Sequence, residues 1–290
     1  MKVLPFPLCL RPVRHLRISA ALLRATALEL AILAGHLLLY PSGLTPERRT
    51  PDRPASEHPG PSNAELPPHT ATLPTGPGLS HPPAVLLHGF VDNRSVFVLL
   101  RRSLARHGWR HLECLNYSPL TCDIRAAADL LGRNIEEICA RTGHREVDIV
   151  GHSLGGLIAR YYVQCLGGDQ RVRTLVTLGT PHSGTTVAPL ASAHPIVRQM
   201  RPGSTVLEEL RAPAPGCRTR FVSFWSDLDQ VMVPVETACI DHPDLIAQNV
   251  RVSGIGHLAL PVHSAVATGI RQALESSESA AGTSGAASVA

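Results

Sequence analysis

The sequence predicts an α/β fold: a doubly wound, mostly parallel sheet with helices on both faces. Two observations support this. Between residues 83 and 275, short runs rich in Val, Leu and Ile alternate with longer segments of helical periodicity. The short runs do not alternate strictly between apolar and polar residues, which indicates strands buried on both faces, as in a parallel sheet.

The elements follow one another in a regular order. Strands are predicted near residues 84–88, 111–117, 146–152, 173–179, 220–226 and 249–254, and helices over 94–107, 122–142, 154–166 and 261–275. The helix 122–142 places an apolar stripe on one face, formed by Ile124, Ala128, Leu131, Ile135 and Ile138. In such a fold, ligands bind at the carboxyl ends of the strands.

Residues 1–40 form a region of their own. Basic residues precede a mostly apolar run, Ile18 to Tyr40, which is long enough to cross a bilayer. Arg24, Glu29 and His36 interrupt it, and a charge at mid-membrane costs about 2.5–3.5 kcal/mol on insertion scales. At about 100° per residue the polar side chains share one arc, as in an amphipathic helix at a membrane surface.

The N-terminal region therefore has several interpretations. It is an uncleaved anchor, an atypical signal sequence, an interfacial helix that contacts a membrane through residues 11–40, or a soluble helix packed on the domain. The basic residues before the apolar run favour an orientation with the rest of the chain outside the cytoplasm. We expect the protein to be exported or membrane-associated.

The segments that flank the predicted domain have a different composition. Residues 41–82 are a predicted linker, because 12 of the 25 prolines fall within residues 41–83. The tail, residues 276–290, is rich in Ala, Ser and Gly, and we predict that it is disordered. The motifs described next fall within the single predicted domain, residues 83–275.

The net charge of +4 comes from the N-terminal region. Residues 1–53 hold 8 Lys/Arg and 3 Asp/Glu, which leaves 19 basic and 20 acidic residues in the remainder. Nothing in this balance indicates a nucleic-acid partner.

The most informative segment contains a G-x-S-x-G motif between a predicted strand and a predicted helix. Its residues are Gly151-His152-Ser153-Leu154-Gly155. A serine at such a sharp bend has an exposed hydroxyl, and the two glycines allow backbone to approach backbone. Ser153 is therefore a candidate nucleophile.

Two later strands end in candidate partners for this serine. One runs into Asp227 and Asp229, and the other ends in a histidine flanked by glycines, His257. The histidine would take the serine proton, and a carboxylate would hold the imidazole in the required tautomer. Asp229 is favoured as the acid because the run from Asp229 to Pro234 resembles the D-x-x-V-x-P turn after the acid-bearing strand in many lipases and esterases, with Asp227 as the alternative.

The developing negative charge on the substrate needs two backbone N–H groups. One is expected from Leu154, directly after the serine. The other is expected from Phe90, because the strand 84–88 runs into His88-Gly89-Phe90, where the glycine lets the backbone turn towards the site.

These motifs together resemble bacterial class 2 lipases of the α/β-hydrolase fold. The matching runs are HGF at 88–90, GHSLGG at 151–156, LVTLGTPHSGT at 175–185, SDLDQVMVP at 226–234 and GIGHLAL at 254–260. The resemblance implies a triacylglycerol lipase or esterase that forms an acyl-enzyme and acts on small-molecule acyl esters or lipids. It implies no cofactor, and no Cys/His spacing in the chain is typical of a metal site.

Residues 183–218 fit the sheet less well and contain several apolar clusters. In the family that the chain resembles, the equivalent segment often caps the active site. We therefore predict a lid or an acyl-pocket wall there, with ordinary connecting helices as the alternative.

Seven cysteines are present, and an odd number leaves at least one unpaired within a single chain. A disulfide between Cys217 and Cys239, on either side of the acid-bearing strand, is one possibility. Free cysteines in the core are the other.

Three functions remain under consideration. The first is hydrolysis of carboxylic esters through the Ser-His-Asp triad. The second is acyl transfer or thioester hydrolysis with the same triad. The third is a catalytically silent hydrolase fold that binds lipids or partners.

Overall fold

The computed structural model describes residues 20–44, 81–90, 92–117, 123–187 and 194–283, with side chains up to 276. The α-helices are α1 (Ala20–Leu44), α2 (Val98–Arg106), α3 (Ile124–Thr142), α4 (Leu154–Cys165), α5 (Pro195–Gln199), α6 (Thr205–Glu209) and α7 (Ser264–Thr283). The strands are β1 (Ala84–Leu87), β2 (Leu112–Leu115), β3 (Val147–His152), β4 (Val172–Leu178), β5 (Arg220–Ser226) and β6 (Ile246–Val252). Short 3-10 helices cover Arg94–Phe97, Gly168–Gln170 and Val235–Ala238.

The six strands form one sheet in the order β2-β1-β3-β4-β5-β6, and every described pairing is parallel. This confirms the predicted doubly wound sheet. Because all strands run the same way, their carboxyl ends meet at one edge, to which the motif-bearing loops belong.

Two apolar layers cover the sheet. Helices α3 and α4 pack with α5 and α6 on one face, and α2 packs with α7 on the other. Successive strand residues enter opposite layers, as with Ile149 and Val150 of β3, which are both fully buried. The predicted apolar stripe of α3 is confirmed, since all five of its residues are buried.

Strand β6 begins at Ile246, three residues before its predicted start at 249. It lies at the edge of the sheet, and its first four residues are exposed. Its first four residues, Ile246-Ala247-Gln248-Asn249, mix apolar and polar side chains, as an exposed edge strand allows, so they do not form the continuous apolar run that marks a buried strand.

Two predicted boundaries of the flanking segments need correction. Helix α1 continues through Pro41 to Leu44, into the first residues of the predicted linker, because its last turn is held by bonds to the domain. Helix α7 continues to Thr283, past the predicted start of the disordered tail at 276; its alanines favour helix. Residues 45–80 and 284–290 lie outside the described part.

Helix α1 lies against the domain that contains the sheet, with an unusual distribution of polar and apolar side chains. Its inner side carries Thr26, Glu29 and His36, while its leucines are largely exposed. By length and composition, residues 20–43 could cross a membrane, with a mean hydropathy of 1.7.

Cys139, Cys165, Cys217 and Cys239 are free thiols. The considered pair Cys217–Cys239 is therefore not formed in this structure. Cys9 and Cys122 lie outside the described residues.

Candidate active site

Ser153 lies at the junction of β3 and α4 in a strained backbone conformation. Its φ is 52° and its ψ is −118°, and among the described residues it is the only non-glycine with a positive φ. A Cβ on Gly151 would come within 2.5 Å of the Gly156 backbone, and one on Gly155 within 2.4 Å of the Leu87 carbonyl oxygen. The two glycines of the motif therefore make the sharp turn sterically possible.

His257 and Asp229 are joined by a buried hydrogen bond. The histidine Nδ1 lies 2.8 Å from the Oδ2 of Asp229, and both side chains are almost inaccessible to solvent. The other carboxylate oxygen accepts the backbone N–H groups of Val231 and Met232, at 2.8 and 2.9 Å. These bonds hold the carboxylate in place, so it can orient the imidazole ring.

Asp229 and His257 also shift each other's pKa. Burial by itself acts to raise the pKa of Asp229, but His257 and the backbone N–H groups of Val231 and Met232 together outweigh it, so the pKa of this carboxyl is lowered. Burial acts most strongly and lowers the pKa of His257, but Asp229, Glu29 and Asp92 together outweigh it, so the pKa of the histidine lies above its usual value of 6.5. The geometry thus favours an imidazolium next to a carboxylate, as a general base needs after it takes a proton.

Asp227, the alternative acid, has a different partner. Its Oδ2 accepts a hydrogen bond of 2.8 Å from Nη2 of Arg251 on β6, and that arginine is largely exposed. The structure therefore places Asp229, and not Asp227, against His257.

The two candidate oxyanion residues border the serine. Leu154 is the first residue of α4, and Phe90 lies in the loop after β1. Tyr117 holds that loop through its single phenol O–H, which the carbonyl oxygens of His88 and Gly89 share as acceptors, the latter at 2.9 Å. The ring of His88 stacks on Tyr117 at 4.3 Å, so this histidine supports the loop.

A cavity of about 220 Å³ opens beside the serine. Its polar side is formed by the site itself, including Phe90, Ser153 and His257. Its apolar lining is supplied by Val187, Val197, Met200, Val231 and Met232. The first three belong to the segment 183–218, so part of that segment forms a wall of this cavity.

Several residues near the site carried no functional signal in the sequence. Asp92 lines the cavity, and its Oδ2 lies 3.5 Å from Nδ1 of His152. A Cβ on Gly179 would lie 2.9 Å from Nδ1 of His257 and 3.0 Å from Oδ2 of Asp229, so this glycine leaves room for their hydrogen bond. Glu29 of α1 contacts the loop after His257. In the sequence, only the position of Glu29 inside an apolar run indicated that this residue has a buried partner.

His182 is buried and bonds through Nε2 to the Thr177 hydroxyl, at 3.0 Å. It does not line the cavity beside Ser153. Within the described ranges, no cluster of three or more His, Cys, Asp or Glu could hold a metal ion.

Comparison with known protein families supports a hydrolase fold. A family model described as palmitoyl protein thioesterase matches residues 83–210. Curated triacylglycerol lipases of Pseudarthrobacter phenanthrenivorans and Burkholderia plantarii are each 29% identical over 114 residues. This region is 37% of the present chain and 35% and 31% of those proteins, so the match spans only about a third of their length.

Solved structures show the same architecture over a larger part of the chain. The mature form of a Bacillus licheniformis lipase has a TM-score of 0.59 at 17% identity, covering 69% of this chain and 94% of the lipase. Aspergillus fumigatus lipase B has a TM-score of 0.58 at 15% identity, covering 80% of this chain and 64% of the other. At these identities the likeness concerns the fold, which is that of the α/β-hydrolases.

Proposed function

We propose that this α/β-hydrolase, which is similar to bacterial triacylglycerol lipases, is a serine hydrolase that cleaves carboxylic esters of lipid acyl chains. One observation carries the proposal. A strained serine, Ser153, borders an apolar cavity that is also lined by a histidine hydrogen-bonded to a buried carboxylate. A nucleophile, a base and a residue that orients the base are the parts that covalent acyl transfer requires.

The reaction proceeds in two halves. The Ser153 hydroxyl attacks the acyl carbon while His257 takes its proton, and Asp229 stabilises the resulting imidazolium. The alcohol leaves with the proton from His257, which gives the acyl-enzyme. A water molecule then attacks the acyl-enzyme by the same route and releases the carboxylic acid.

The backbone N–H groups of Leu154 and Phe90 are assigned to the negative charge of the tetrahedral intermediates. Because Leu154 begins α4, the positive end of the helix dipole also faces this charge. The valine and methionine side chains of the cavity accept the acyl chain. We assign the described cavity-lining residues of the segment 183–218 to acyl recognition, as the wall of the acyl pocket; residues 188–193 of the predicted lid or wall lie outside the described residues.

Hydrolysis of p-nitrophenyl esters from acetate to palmitate by the full chain tests this proposal. We expect turnover that depends on Ser153 and is lost in Ser153→Ala, with the rates across the chain-length series reporting the capacity of the cavity. Absence of serine-dependent turnover with every ester would refute ester hydrolysis.

Thioester hydrolysis is a second candidate, favoured by the match to the palmitoyl protein thioesterase model. The same residues would serve, since only the leaving group changes from an alcohol to a thiol. Parallel assays with palmitoyl esters and palmitoyl thioesters separate the two functions. A kcat/KM for the thioester that exceeds that for the ester at equal acyl length would favour the second.

The outer face of α1 supports a further part of the proposal, contact with a lipid surface. Its leucines include Leu30, Leu37 and Leu38, which are 62%, 66% and 82% exposed. Each leucine that enters lipid contributes on the order of 1–2 kcal/mol. The helix then lies at the membrane surface with the hydrolase domain outside the cytoplasm.

Sedimentation of the full chain with phospholipid vesicles tests this contact. The double variant Leu30→Glu/Leu37→Glu should lose most of its binding, whereas Leu130→Glu, an exposed leucine on α3, serves as the matched control. Equal binding of all three proteins would refute lipid contact through α1. Concentration-dependent dimerisation abolished by the double variant would instead assign this face to a second copy of the chain.

A further inference from the structure

The inner side of α1 is bound to the loops that surround the candidate active site. The side chain of Gln230, in the loop that carries Asp229, donates to the Thr26 hydroxyl at 3.2 Å. Asn93, in the loop after β1, donates to the carbonyl oxygen of Tyr40 at 2.9 Å. Near the middle of the helix, Nδ1 of His36 lies 3.7 Å from a carboxylate oxygen of Asp92.

Glu29 makes the contact closest to the catalytic histidine. Its Oε2 accepts the backbone N–H of Leu258, and its Oε1 accepts that of Ala259, both at 2.9 Å. These are the two residues that follow His257. A carboxylate that bridges two successive N–H groups restrains the backbone between them, and hydrogen bonds to a charged acceptor are among the stronger ones in proteins.

Gly256, on the other side of His257, makes this approach possible. A Cβ at this position would lie 2.5 Å from Cδ and 2.6 Å from Cγ of Glu29. The glycine before the histidine and the carboxylate on α1 therefore form one contact, between residues that are more than 200 positions apart in the chain.

We infer that Glu29 is a positioning residue for His257, so that the hydrolase domain depends on the seated N-terminal helix for full activity. The inference rests on the proposed serine-hydrolase function. Helix α1 then has two roles: its outer face meets lipid, and its inner face completes the support of the catalytic loop.

A charge so close to the site also acts on the proton affinity of the histidine. The groups that face His257 are Asp229 from the loop after β5, Glu29 from α1, Asp92 from the loop after β1, and His152 at the end of β3, whose ring lies 4.8 Å away. The three carboxylates each raise the pKa of His257. Loss of the Glu29 charge therefore lowers that pKa and moves the acid limb of kcat/KM to lower pH.

The test uses the full chain and compares Glu29→Gln, Glu29→Asp and a control, Arg24→Gln, which removes a charge from the exposed side of the same helix. For Glu29→Gln we expect kcat on a short ester to fall about tenfold, as for loss of one hydrogen bond to a charged group. KM should change little, and the acid limb should move to lower pH. Glu29→Asp keeps the charge, so its acid limb stays nearer that of the wild type.

Two outcomes would overturn the inference. One is a Glu29→Gln protein with unchanged kcat and an unchanged acid limb. The other is a loss of kcat without movement of the limb, since a merely smaller folded fraction scales the rate at every pH. Arg24→Gln should match the wild type in both respects.

A double-mutant cycle adds an independent check of the contact. Gly256→Ala should reduce kcat in the wild-type chain but have little further effect in Glu29→Ala, which lacks the atoms that the new methyl group would meet. Additive losses would contradict the contact. NMR titration of the His257 ring in wild type and Glu29→Gln tests the positioning role of Glu29 without depending on enzymatic turnover. A pKa shift in a protein without serine-dependent turnover would refute the function alone, and turnover without a pKa shift would refute the positioning alone.

Discussion

The backbone strain at Ser153 predicts that removal of the nucleophile changes stability as well as activity. Among the described residues it alone combines a side chain with a positive φ, and its ψ of −118° lies far from the left-handed helical region. We compare two inactive variants, Ser153→Gly and Ser153→Ala. Both lack the hydroxyl, but only alanine keeps the Cβ that makes this conformation costly.

The magnitude follows from two opposing terms. A non-glycine residue in a sparsely populated φ/ψ region costs on the order of 1–3 kcal/mol, and glycine relieves this cost. Glycine in turn loses about 0.5–1 kcal/mol through the greater freedom of the unfolded chain. We therefore expect Ser153→Gly to be more stable than Ser153→Ala by roughly 0.5–2 kcal/mol. For a domain of this size, 1 kcal/mol corresponds to about 2–4 °C in Tm.

Urea denaturation and thermal unfolding of both purified variants measure the difference directly. Equal m-values in urea show that the comparison reflects the native state. If Ser153→Ala is as stable as Ser153→Gly, or more stable, the backbone at Ser153 is not strained. The surrounding fold then does not hold this turn in a costly conformation. Residual esterase activity in either variant would argue separately against the assignment of the nucleophile.

Other predictions concern the histidine and its neighbours. Asp229→Asn should lower kcat by about four orders of magnitude, because the amide favours the wrong imidazole tautomer. Asp227→Asn should stay within a few-fold of wild type, since Asp227 bonds Arg251 instead. Equal losses of kcat for both variants in parallel ester assays would contradict the assignment of the acid. His257 acts as a base only when neutral, and Asp229 raises its pKa, so kcat/KM should rise with pH through a midpoint above 6.5. A midpoint below 6.5 would show that burial, and not Asp229, decides the pKa of His257. Gly179→Ala should reduce kcat strongly, because its methyl group would press on the His257–Asp229 bond; unchanged kinetics would show that the loop can yield.

Much of the sheet could be predicted because its signals are local. Valine- and leucine-rich runs bounded by turn residues located the strands, and the stripe on α3 followed from helical spacing. Predictions were poorer where tertiary contacts replace local preference. Strand β6 begins three residues before its predicted start, in a mixed apolar and polar run that is exposed at the edge of the sheet, and α1 extends past Pro41 because the domain holds its last turn.

The chain itself determined the chemistry of the candidate site. The glycines around Ser153 are properties of the sequence, and so is the chain order of a serine after β3, two aspartates after β5 and a histidine after β6. These residues meet because the strand ends of a parallel sheet converge on one edge. Tertiary structure decided which groups meet there. Both aspartates leave the same strand, and only their contacts separate Asp229, bonded to His257, from Asp227, bonded to Arg251.

The position of the N-terminal helix was decided by tertiary structure in the same way. Its sequence allowed a membrane anchor, a signal segment, an interfacial helix or a packed helix, since hydropathy and periodicity describe a helix without its neighbours. Glu29 acquires its role only because the fold brings it to the backbone of Leu258 and Ala259. A contact between residues more than 200 positions apart has no local signal, and its energy arises only when the folded chain has excluded water from both groups.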